Sequence, residues 1–86
     1  MSDKKISITY TTYLFLKGRG IVDLDDSLIY LNALKEFDIL EKEAIEGVFG
    51  EGSYEVLLMK DFYDEKGKLI KSDCLKKSFV DRGDEL

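Results

Sequence analysis

An α+β fold follows from three features of the 86-residue sequence. Near the start lies a stretch that alternates polar and apolar residues, the middle holds an apolar run at helical spacing, and later come two extended stretches joined by a glycine-closed turn. The expected architecture is a small antiparallel sheet of about four strands with one helical segment, or two helices, packed on one face. A single domain over 1–86 is expected, with frayed ends near 1–4 and 81–86, because a chain of this size buries about 60 to 65 per cent of its unfolded surface in one modest core.

The first strand is read over Ile6 to Leu16, a segment rich in Ile, Thr, Tyr and Phe. Under a two-residue period Ile6, Ile8, Tyr10, Leu14 and Leu16 share one side, and Tyr13 and Phe15 make the opposite side apolar in the second half. Covering on both faces is therefore expected there. Lys17-Gly18-Arg19-Gly20 reads as a turn, since its glycines supply the positive φ that a tight reversal needs. Ile21 to Leu24 is then a short second strand in a hairpin with the first.

Asp25, Asp26 and Ser27 carry the short oxygen-bearing side chains that cap helix starts, and an apolar run follows. A helix through Glu36 is expected, with Leu28, Leu31 and Leu34 as its buried stripe and Tyr30 and Phe37 alongside. Asp38 and Glu41 have capping-box spacing, so Ile39 to about Glu46 reads either as a second helix or as an extension of the first. Gly47 ends it. Tyr54 to Tyr63 and Lys68 to Cys74 are read as a hairpin closed by Asp64-Glu65-Lys66-Gly67. Leu57, Met59 and Phe62 are assigned to the core side and Val56 and Leu58 to the other. Leu75 to Val80 either ends the sheet or forms a last turn of helix.

Composition removes most catalytic chemistry. The chain has no histidine and one cysteine, Cys74, so no Ser-His or Cys-His pair and no histidine–thiolate zinc site can be assembled. No disulfide can form within the chain, and no secretory signal or apolar membrane span is read, which points to the cytoplasm. Neither a cofactor nor a metal is expected, and no catalytic residues are assigned. Asp23, Asp25 and Asp26 have the chemistry of a hard-cation site, but helix capping accounts for them. Gly18-Arg19-Gly20 lacks the rest of a phosphate-binding loop. Asp61 and Asp64 are expected to be solvated, and Cys74 to be a small buried hydrophobe. Arg82-Gly83-Asp84 and Asp84-Glu85-Leu86 resemble an integrin tripeptide and part of a retention signal, and both readings require a secretory route.

The net charge of −5 is unevenly distributed: residues 1–20 carry +3, residues 21–65 carry −10 and residues 66–86 carry +2. Such a balance disfavours direct binding of nucleic acid or membranes, and it reads either as basic ends lying beside the acidic middle and neutralising it or as an acidic face offered to a basic protein partner. Tyr10, Tyr13, Tyr54 and Tyr63 exceed what one thin core needs, and tyrosine is favoured at interfaces. The resulting expectation is a non-enzymatic, acidic protein-binding module. In its specific form it is an inhibitor or immunity-type protein that mimics nucleic acid and blocks the basic surface of a nucleic-acid-binding enzyme. Glu36, Asp38, Glu41, Glu43, Glu46, Glu51 and Tyr54 are the candidate partner-binding residues. The alternative is a structural or accessory homodimer, or larger homo-oligomer, that pairs through a sheet edge. The chain contains no proline, one of the residues that blunt such an edge.

Overall fold

In the computed structural model, residues 5–82 are described. The order is β1 (Ser7–Leu16), β2 (Gly20–Ser27), α1 (Tyr30–Glu46), β3 (Gly52–Tyr63) and β4 (Leu69–Arg82). The four strands form one antiparallel sheet in the order β2-β1-β3-β4, so the chain is of the α+β class. The two hairpins are local, and α1 carries the chain from the edge strand β2 to β3, beside β1.

Both tight turns follow from their residues. Gly18 and Gly20 sit at φ of 90° and 91°, the region that glycine enters without a Cβ penalty. In the second turn the Asp64 carboxylate accepts the backbone N–H groups of Lys66 and Lys68, each at 2.9 Å. Asp64 is thus committed to closing the hairpin.

The helix differs from expectation at its start and in its phase. Asp25, Asp26 and Ser27 belong to β2, and α1 begins after Ile29 with no side-chain cap. Ser27 contributes through its hydroxyl, which accepts the Ile29 N–H and donates to the Ile29 carbonyl, each at 3.1 Å. No break occurs at Asp38, so the capping-box reading is replaced by a single 17-residue helix. At its far end Gly47, in the left-handed conformation, donates to the Ala44 carbonyl while Val48 donates to that of Glu43, a Schellman closure.

The buried positions of α1 are Ala33, Phe37, Leu40 and Ala44. Leu28 and Leu31, expected in the stripe, are 78% and 66% exposed, whereas Leu34 packs partly against the core. The reason is close approach. Two alanines let the helix backbone come near the sheet, near enough for the Thr12 hydroxyl to donate to the Ala33 carbonyl at 3.4 Å.

The core joins those four helical residues to Leu14, Leu16, Tyr54, Val56, Leu58 and Val80. Register explains the selection: Leu14 opposes Val56, Leu16 opposes Tyr54, and Tyr54 opposes Val80 across the next pair. The assignment of β3 is therefore reversed for Val56 to Met59, while Phe62 lies half-buried on the side of Val56 and Leu58 without any slip at Asp61. Val56 and Leu58 are buried, and Leu57 and Met59 lie on the other side of the strand, half-exposed with Tyr13. Phe15 is exposed too, so the second half of β1 is not covered on both faces.

Leu75 to Val80 continues β4, with a register shift between Leu58 and Met59. Asp81 and Arg82, expected to fray, pair with Ser53 and Gly52. The predicted frayed ends at 1–4 and 83–86, and both tail motifs in their complete form, lie outside the described residues. The Cα radius of gyration is 15.2 Å, against about 12 Å expected for a compact domain of this length.

Candidate functional site

Carboxylates gather where β2 meets α1. On β2, Asp23 and Asp25 oppose Leu14 and Thr12 of β1, and so share the side of the sheet from which those residues enter the core. Glu36 and Glu43, seven residues apart, lie on one flank of the helix beside its buried stripe. Partial burial raises the Glu36 carboxyl above its ordinary value, and the negative fields of Asp25, Asp23 and Glu43 raise it further. The ion pairs among the described residues join Lys71 to Asp73, Lys76 to Asp38 and Lys77 to Glu55. None reaches this group of four.

The predicted partner-binding residues therefore separate. Glu36 and Glu43 belong to the unpaired flank. Asp38 and Glu41 lie on the opposite flank, tied to β4: Lys76 approaches Asp38 at 3.5 Å, and the Ser78 hydroxyl donates to Glu41. Glu46 is exposed at the helix end, and Glu51 is exposed in the loop before β3. Tyr54 is a correction. It is 2% exposed, a core residue whose hydroxyl donates to the Phe49 carbonyl at 2.7 Å and lies 3.1 Å from that of Gly50. Its ring packs beneath the loop and is not offered to a partner.

Sequence reasoning missed the pairing of Asp23 with Asp25 because it ended the second strand at Leu24, gave Asp25 to a helix cap and explained the charge of both as favouring a helix start. Their two-residue spacing was the available signal, since it places both on one side of an extended strand.

Asp61 is a second correction. Expected in solvent, it is 5% exposed and accepts hydrogen bonds from the Thr11 hydroxyl at 2.8 Å and the Ser72 hydroxyl at 2.6 Å. The Thr11 oxygen also lies 3.0 Å from a carboxylate oxygen of Asp26. A threonine hydroxyl carries one proton, so it serves one of these acids at a time. Nearby, burial raises the Tyr13 hydroxyl above its usual value, followed by the fields of Asp61, Tyr63 and Asp26. Tyr13 thus stays protonated at neutral pH. Cys74, expected to be buried, is exposed.

This arrangement offers surface charge and a network of hydroxyls shared among carboxylates. Among the described residues no group of three or more Cys, Asp or Glu residues is set to hold a metal ion, and no helix is long and apolar enough to cross a membrane. No protein-family model, curated protein or solved structure matches the chain.

Proposed function

We propose that this chain is a non-enzymatic protein-binding module that presents the carboxylates of its β2–α1 flank to a basic partner. The specific target class is a nucleic-acid-binding enzyme, whose phosphate-binding surface the carboxylates occupy. The observation that carries the reading is the group of Asp23, Asp25, Glu36 and Glu43, with no cation within ion-pair distance among the described residues. Like charges held together destabilise a free protein, and a partner's lysines and arginines relieve that repulsion on binding. The reading takes α1 as packed over one face of the sheet, which puts its flank and β2 on a common surface. Cytoplasmic targets suit it, since no disulfide is required.

The test is an inhibition assay on heparin-retained nuclease and polymerase fractions from the native host. Inhibition of one enzyme is expected, weakening steeply with salt and lost in the Glu36→Lys, Glu43→Lys double variant. An equally potent double variant, or no inhibition in any fraction, overturns the proposal.

One observation favours the alternative of edge pairing. The edge strand β4 runs for 14 residues and is exposed along most of its length. Against it stand the register shifts in β4 and the lysines at 71, 76 and 77, which are devices that protect edges.

A further inference from the structure

The side of the sheet opposite the core is unusually apolar. An antiparallel sheet with one face on its core ordinarily carries polar residues on the other. Here the second face bears Tyr13 and Phe15 on β1, Leu57 and Met59 on β3, and Ile21 and Leu24 on β2. At the β4 margin Phe79, opposite Glu55, is 73% exposed. Of the carboxylates on this face Glu55 approaches Lys77, while Asp81 accepts the Ser53 hydroxyl, Asp61 accepts those of Thr11 and Ser72, and Asp26 lies 3.0 Å from the Thr11 oxygen.

Between β1 and β3 this face holds an open hollow of about 280 Å³, lined by Tyr13, Phe15, Ile21, Leu57 and Met59, with Asp61 and Ser72 at one end. A cavity of about 150 Å³ with apolar walls is enough to take a benzene ring. The face thus carries an unburied phenyl group at its margin and an unfilled hollow near its centre. With strands about 4.8 Å apart and a rise of about 3.3 Å per residue, the face measures roughly 600 to 700 Å² in projection. Two such faces give about 1,200 to 1,400 Å², the lower part of the range for specific interfaces.

We propose that the chain forms a two-fold homodimer through this face, with Phe79 of each copy seated in the hollow of the other. A two-fold interface uses the same patch on both copies, and a knob and a hole on one patch satisfy that requirement. The occupant is a second copy because the exposed ring and its receptacle belong to the same surface, and two such faces supply the area of a specific dimer. The product is a sheet-on-sheet sandwich with the helices outermost. Both β2–α1 flanks remain free, so this inference does not depend on the function proposed above.

Sedimentation velocity from about 1 to 100 μM decides the matter. The wild type is expected to dimerise in that range, and Phe79→Asp and Leu24→Asp, at opposite margins of the face, are each expected to weaken the dimer at least tenfold. Both positions are exposed, so the fold survives, and circular dichroism checks this. Leu31→Asp on the outer side of the helix should remain as dimeric as the wild type. A wild type that stays monomeric throughout, or a dimer unaffected by Phe79→Asp and Leu24→Asp, overturns the proposal, and the latter result assigns the contact to a strand edge.

Discussion

Leu57 and Leu58 are neighbours in sequence and identical in chemistry, but one is half-exposed and the other wholly buried. The same contrast runs through the sheet. Leu14, Leu16, Val56 and Leu58 share a core with α1, while Tyr13, Phe15, Leu57 and Met59 are comparably apolar and lie on the opposite side. Hydrophobicity alone did not decide which set became the core. The register with β1 groups Val56 and Leu58 with Leu14 and Leu16 on one side, and Ala33 and Ala44 let α1 approach that side closely.

The most forceful way to break this comparison is in the buried set. Phe37→Ala should cost about 3 to 5 kcal/mol, since it removes the ring at the centre of the helix–sheet contact and leaves a cavity. Leu31→Ala on the same helix should stay within about 0.5 kcal/mol, as expected for an exposed site. Thermal melts of the two proteins measure the difference, and similar shifts would overturn the assigned helix phase.

A sharper version uses the leucine pair. Leu58→Ala should cost about 2 to 5 kcal/mol at any protein concentration. The cost of Leu57→Ala should be smaller in the monomer and grow with concentration, because dimerisation stabilises the folded state by mass action. Chemical denaturation at two concentrations tests this, and a Leu57→Ala penalty independent of concentration would count against an interface on that side.

The smallest effect concerns the acidic flank. The Glu36 carboxyl is raised, so the folded protein holds its proton more tightly than the unfolded chain does. Its contribution to stability is therefore present at low pH and is lost as pH rises through the carboxylate range. Glu36→Gln should make the fall in melting temperature between about pH 4 and 7 shallower. An unchanged slope would mean that the neighbouring acids do not act on it.

Strand and turn positions were legible where local chemistry dictates them. The alternation of β1, the glycines at 18, 20, 47 and 67, and the Asp64 turn each act within a few residues. The helix phase was obscured because leucines outweigh alanines in any reading of apolar spacing. The face of β3 was obscured for a different reason: Val56, Leu57, Leu58 and Met59 are consecutive apolar residues, and only the register with β1 selects the buried pair. Asp61 looked like a solvated acid because its partner Thr11 is 50 residues away. Of the candidate site, Glu36 and Glu43 were legible as charges, but their grouping with Asp23 and Asp25 depends on extending the second strand beyond Leu24 to include Asp25.

The strand order β2-β1-β3-β4 also bears on how the chain folds. Each hairpin closes over a short turn, but a two-stranded hairpin alone is marginal in water. The central β1–β3 pairing must gather a loop that contains β2 and the whole helix, with an entropic cost that precedes its contacts. The two halves are therefore expected to form and dissolve rapidly until that pairing fixes them together. Substitutions at the β1–β3 seam, such as Leu14→Ala, should slow refolding. Those at the outer margins of β2 and β4 should chiefly speed unfolding, so the chain commits to its structure from the centre of the sheet outward.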